Sequence, residues 1–215
     1  MSNSTLVSYT KISPNSRART KSISKITIHH MAGNLSIESC GAWFSSSQCN
    51  ASSNYGIGSD GRIGLYVEEK DRAITSSSTA NDNVAVTIEV ANDESGGNWH
   101  VSDKALASVI DLCTDICKRN GIEKLNFTGD ASGNLTMHKY FKATTCPGPY
   151  LESKFPYIVE EVNKRLAESL SPLEEDLKVL VDNGVMNSPD YWKSKTKEVK
   201  NLDLLIHKMA NRLRK

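Results

Sequence analysis

Val84-Ala85-Val86-Thr87-Ile88-Glu89-Val90 is a run of β-branched and apolar residues broken by one carboxylate. The run predicts a buried central strand, and Glu89 is its anomaly. Upstream, Ile26 and Ile28 alternate with Lys25 and Thr27 and lead into His29-His30, which predicts a second strand. Tyr55 and Ile57 alternate with small residues, Asp60-Gly61 supplies a turn, and Ile63 to Val67 returns. A D-G pair between two apolar runs predicts a hairpin. Residues 36–46 read as a short helix opened by Ser36, with Glu38 in its first turn. Downstream, Leu106, Val109, Ile110, Cys113, Ile116 and Cys117 recur at helical spacing between a capping Ser102 and a terminating Gly121. Leu125 to Phe127 reads as a short strand. Residues 149–168 form another helix, with Ile158, Val159, Val162 and Leu166 on one face. Strands interleaved with helices predict an α/β domain over 1–168, a mixed central sheet flanked by helices. Its first 22 residues, polar and without an acidic group, read as a loosely held extended arm.

A polar joint at Glu168–Ser171 separates a second module, residues 171–215. Ser171-Pro172-Leu173-Glu174 has a capping-box pattern, Gly184 ends that helix, and Ser188-Pro189-Asp190 restarts another. Leu202, Leu205, Ile206, Met209 and Leu213 stripe the last helix, and Tyr191-Trp192 reads as core. So small an all-α module has a marginal core and is expected to dock on something: the main domain, another copy of itself, or a cell-surface ligand.

Composition narrows the function. The 215 residues carry 26 Lys and Arg against 25 Asp and Glu, a net charge of +1, which argues against a general nucleic-acid binder. No apolar run reaches the roughly 18 residues of a membrane helix. The first apolar cluster is too late and too short for a signal peptide, so the expectation is a protein made in a cytoplasm without an address for ordinary secretion. Five cysteines, an odd and scattered set, predict free thiols; a Cys40–Cys49 bridge is not expected.

Three side chains suit an open metal site. His29 ends a buried strand, and His138 precedes Cys146 by eight residues in His138-Lys139-Tyr140-Phe141-Lys142-Ala143-Thr144-Thr145-Cys146-Pro147-Gly148. Two His and one Cys leave a fourth position for water, a known catalytic zinc geometry. Glu89, a carboxylate in an apolar strand, is the candidate general base beside it. Together these predict metal-assisted hydrolysis. A cysteine hydrolase using Cys146 and His138 is the rival within enzymes.

Four segments taken in order, ITIHHMAG at 26–33, SSNYGIGSDGRI at 52–63, VTIEV at 86–90 and HKYFKATTCPG at 138–148, resemble the type-2 N-acetylmuramoyl-L-alanine amidases, a family that includes the peptidoglycan recognition proteins and several phage lysins. The resemblance spans about residues 22 to 166. It implies the amidase fold and Zn2+ held by His29, His138 and Cys146, with His30 on the opposite face of its strand. It also implies Glu89 as general base, with Thr87 where the family has Gly. Two positions depart from the phage members: Ser53 stands where some have Tyr, and Thr144 where some have Lys. Thr144 can donate a hydrogen bond to an oxyanion without a full charge, and the part played by Lys139 or Lys142 stays open. The tail, with GVMNSPDYW at 184–192, resembles helical modules of clostridial-type lysins. The implied protein is an endolysin that acts on peptidoglycan, cuts between N-acetylmuramic acid and L-alanine, and is released from the host cytoplasm to the wall. A non-catalytic peptidoglycan-binding protein on the same fold is the alternative.

Overall fold

The computed structural model describes residues 2–46, 48–168 and 172–214. The chain forms two compact units, Met1–Leu166 and Ala167–Lys215. In the first, the elements run β1 (Tyr9–Thr10), β2 (Ser16–Ala18), β3 (Lys25–His30), α1 (Ile37–Phe44), β4 (Tyr55–Ile57), β5 (Ile63–Leu65), β6 (Asp71–Ala73), α2 (Thr79–Asp82), β7 (Ala85–Val90), α3 (Asp103–Asn120), β8 (Leu135–Met137), a 3-10 turn at His138–Tyr140, and α4 (Pro149–Glu168). Among the described residues one mixed sheet has the order β1-β5-β4-β7-β3-β8, and a two-stranded sheet joins β2 to β6.

The apolar run centred on Val86 and Ile88 is β7, paired in parallel with β3 on one side and β4 on the other. Parallel central strands are covered on both faces, which is why Ile26, Ile28, Val86 and Ile88 are fully buried. Tyr55 to Ile57 and Ile63 to Leu65 form the antiparallel hairpin that Asp60-Gly61 turns. α3 is capped by the Ser102 hydroxyl, which accepts from the Ala105 N–H, and ends at Gly121 with φ +68°. Its buried face, with Leu151, Phe155, Ile158 and Val162 of α4, completes the main core.

Two expectations fail in this unit. Leu125 to Phe127 is not a strand: the Leu125 N–H and C=O bond to the Asn163 side chain of α4, and the Asn126 N–H donates to the Asn134 side chain. Side chains and backbone bonds, in which the Asn126 carbonyl accepts the Asn134 and Leu135 N–H groups, satisfy this backbone instead of a ladder. The arm is not loosely held. β1 and β2 are paired strands, Ser4, Ser13 and Asn15 are buried, and the Arg19 guanidinium donates to the carbonyls of Glu69, Asp71, Asp82 and Ala85.

The second unit holds α5 (Pro172–Asp182), α6 (Pro189–Lys195) and α7 (Leu202–Leu213). Leu177, Leu180, Ile206 and Ala210 form its core, with Trp192, Met209 and Leu213 packed against it. Two residues read as core are exposed, Leu205 at 52% and Tyr191 at 55%. The buried stripe of α7 runs through Leu202, Ile206, Met209, Ala210 and Leu213, and Leu205 falls beside it. The Ser171 cap lies outside the described residues.

Candidate functional site

His29 is the fifth residue of β3 and lies opposite Glu89 in the parallel register with β7. Residues in register on adjacent strands point to the same face, so the imidazole and carboxylate emerge side by side. His29 Nδ1 lies 3.9 Å from Glu89 Oε1. β8 pairs with β3 on its other side and hands the chain directly to His138, whose ring centroid is 4.6 Å from that of His29. Cys146 returns to the same point eight residues later. One ligating atom from each of His29, His138 and Cys146 lies within 4.8 Å of the other two.

The electrostatics suit a cation. Burial, then the neighbouring His138 and His30, holds the His29 imidazole well below its ordinary pKa. Burial also lowers His138, so both rings are neutral and offer lone pairs. The Nε2 atoms of both are buried without a hydrogen-bond partner. Two orphaned imidazole nitrogens facing a thiol fit a small divalent ion bound by nitrogen and sulfur. The His30 backbone N–H donates to Cys146 Sγ at 3.4 Å, a bond that steadies a thiolate ligand. Burial and the Glu89 carboxylate push the Cys146 thiol up, the reverse of what a free cysteine nucleophile requires. Burial pushes the Glu89 carboxyl up to about 8.

The structure thus brings together His29, His138, Cys146 and Glu89. Thr144 is exposed on the loop before Cys146, and its Oγ1 accepts the Cys146 N–H at 3.2 Å. Its hydroxyl hydrogen remains free to donate, but it does not join the buried cluster. Lys139 is paired with Glu152 at 2.5 Å, whereas Lys142 is near enough to help depress His138. His30 is buried edge-on to Trp99, and it also lines the cavity that Glu89 borders, so it is not set apart from the site as expected. Ser53 is buried in the sheet, donating to the carbonyls of Tyr55 and Thr87, and takes no part in the site. All five cysteines are free thiols.

A cavity of about 310 Å³ beside Glu89 is lined by Met31, Leu35, Cys40, Trp43 and Phe44. Sequence reasoning missed this wall. Trp43, 65% exposed, was its available signal: an aromatic off the buried stripe of α1 formed by Ile37, Cys40, Gly41 and Phe44.

Several solved structures share the fold. PlyL is 15% identical, with 72% of this chain and 95% of that one covered at a TM-score of 0.57. The PlyG catalytic domain is 16% identical, with coverage of 76% and 98% and a TM-score of 0.58. The N-acetylmuramoyl-L-alanine amidase LysC from Clostridium intestinale is 20% identical, with coverage of 76% and 96% at 0.50. No curated protein matches the chain. The family model of N-acetylmuramoyl-L-alanine amidase matches residues 19–149, which contain all four clustered side chains, and the chain belongs to that family.

Proposed function

We propose that this protein is a zinc-dependent endolysin that hydrolyses the amide between N-acetylmuramic acid and L-alanine of peptidoglycan. The observation that carries the reading is the convergence of two neutral imidazoles, each with an unpartnered Nε2, and one thiol beside a partly buried carboxylate, within a chain of the amidase family. His29, His138 and Cys146 would hold the ion. Zinc bound there would supply Lewis acidity toward the scissile carbonyl and lower the pKa of water toward about 7.

The protein's own residues divide the remaining work. A cation held by the neighbouring ligands would favour the ionised form of Glu89, whose Oε1 then takes a proton from the attacking water; a carboxylate shielded from solvent is a stronger base than an exposed one. The same carboxyl then passes that proton to the amide nitrogen as the C–N bond breaks, so the amine leaves neutral. Its position beside His29 puts the proton acceptor next to the ligands. The Thr144 hydroxyl, oriented through the Cys146 N–H, donates to the developing oxyanion. The apolar wall of Met31, Leu35 and Trp43 excludes water from one side of the cleft.

The test is mass spectrometry of purified Gram-positive walls after digestion. The reading predicts intact disaccharide units and new free L-alanine amino termini. New reducing sugar ends without new amino termini would contradict it.

A further inference from the structure

Two strands carry His29 and Glu89 and a third leads into His138, and each places a threonine two residues before the functional side chain: Thr27, Thr87 and Thr136. The register sets Thr27 directly opposite both Thr87 and Thr136. Side chains two apart on a strand share a face, so Thr27 lies beneath His29 and Thr87 beneath Glu89. All three threonines are fully buried. Threonine at this depth needs its hydroxyl satisfied. Thr87 Oγ1 bonds to Asn54 and Thr75, whereas Thr27 and Thr136 belong to one continuous chain.

That chain has a single direction. Asn81 Nδ2, at the end of the sheet in α2, donates to Thr27 Oγ1 at 2.9 Å and to Ser76 Oγ at 3.2 Å. The Ser76 hydroxyl donates to Asp82 Oδ1 at 2.6 Å. Thr27 Oγ1 lies 2.9 Å from Thr136 Oγ1, and Thr136 donates to the Ile26 carbonyl at 3.3 Å. With Asn81 as donor and the Ile26 carbonyl as final acceptor, the Thr27 hydrogen must point to Thr136. The Thr27 and Thr136 hydroxyls are then each used once as donor and once as acceptor.

The arrangement bears on His138 through β8. This edge strand has three residues and, among the described residues, pairs only with β3; Thr27–Thr136 is the middle of its three pairs. A three-residue edge has few ladder bonds to fix its place, so a side-chain bond across its centre carries a large share. His138 follows β8 at once, so any slip of that strand moves the ligand against His29.

We propose that Thr27 is a positioning residue for the reaction: its hydroxyl bond to Thr136, with Asn81 behind it, sets the spacing of His138 from His29 and so the affinity of the site for zinc. The inference rests on the metal reading above. It extends that reading from the ligands to a buried polar floor that touches neither ion nor substrate.

The test compares Thr27→Val, which keeps the shape and removes the hydroxyl, with Thr27→Ser, which keeps the hydroxyl. Zinc affinity is measured in the full chain by competition with a chromophoric chelator, well below the melting temperature of each metal-free variant. Removal of an outer-shell partner weakens metal binding about 10–100-fold, and Thr27→Val is expected in that range. Thr27→Ser is expected to stay within about threefold of wild type. Asn81→Ala, which removes the donor from outside the sheet, repeats the measurement should Thr27→Val not fold, with the same direction of change expected. A Thr27→Val or Asn81→Ala protein of lowered melting temperature but wild-type zinc affinity would overturn the proposal, because the threonine would then be structural only. A wild type that binds no zinc would overturn the metal reading and this inference with it, a result distinct from wild-type binding that the variants share.

Discussion

Glu89 is the residue on which chemistry and stability meet. Its carboxyl sits at about 8 in the folded protein because of burial, whereas an unfolded chain titrates near about 4.3. Between those values the folded chain keeps a proton that the unfolded chain has released, so stability falls as pH rises through that window. In metal-stripped protein, Glu89→Gln removes the penalty. The variant should be more stable than wild type by about 2–4 kcal/mol at pH 8 and equal to it at pH 4, by thermal unfolding in chelator. Equal stabilities at pH 8 would contradict the assigned environment. The same variant should lose about 10²–10⁴-fold in amidase rate while retaining zinc, which separates a base from a ligand. Glu89, His29, His138 and Cys146 were legible in the sequence because each is chemically out of place: a carboxylate in an apolar strand, an imidazole at a strand end, a thiol in a loop. Trp43 was not, since an exposed aromatic on a short helix has no such contrast until the cavity beside it is seen.

At the scale of elements, β7, β3, the β4–β5 hairpin and α3 could be read because periodicity and caps agree over their lengths. β8 could not. Leu135-Thr136-Met137 is too short to show a period, and Leu125 to Phe127, which resembles a strand in composition, is held by the Asn163 side chain. The hairpin has its own constraint. Gly56 and Gly64 both face the Tyr66 ring, whose hydroxyl donates to the Ile37 carbonyl at the start of α1 at 2.7 Å. A Cβ on Gly56 would lie 2.5 Å from Tyr66 Cε2. Gly56→Ala should therefore destabilise the protein by about 1–3 kcal/mol in denaturant unfolding, through displacement of Tyr66. A midpoint unchanged from wild type would show that the ring has room to move. The arm depends on a second buried group. Glu69 is fully buried and accepts from Tyr55 Oη at 2.7 Å and from Arg119 Nη2 at 2.7 Å. Arg119→Ala leaves that carboxylate without its cation and should cost about 3–5 kcal/mol. A loss below about 1 kcal/mol would instead mean that the Tyr55 hydroxyl and the Asn120 amide suffice to hold the carboxylate. The sequence could not show this pairing, because the partners are 50 residues apart.

On the scale of the whole molecule, the clustered site residues all belong to the first unit, which has its own core, while the second unit is a small bundle with exposed Tyr191, Leu204 and Leu205. A truncation to residues 1–168 should keep amidase activity on soluble muropeptides. If the tail binds wall or self-associates, the truncation should also lose wall retention in a pull-down or fall in mass by light scattering beyond the residues removed. Unchanged retention and unchanged assembly would remove both roles. The most direct test of the central claim is metal content and activity in one preparation. Wild-type protein should carry about one zinc per chain, release free L-alanine amino termini from walls, lose that activity in chelator, and regain it when zinc returns. Cys146→Ser should carry far less zinc and release almost none. Full activity in metal-free wild type, or in Cys146→Ser without zinc, would contradict the account.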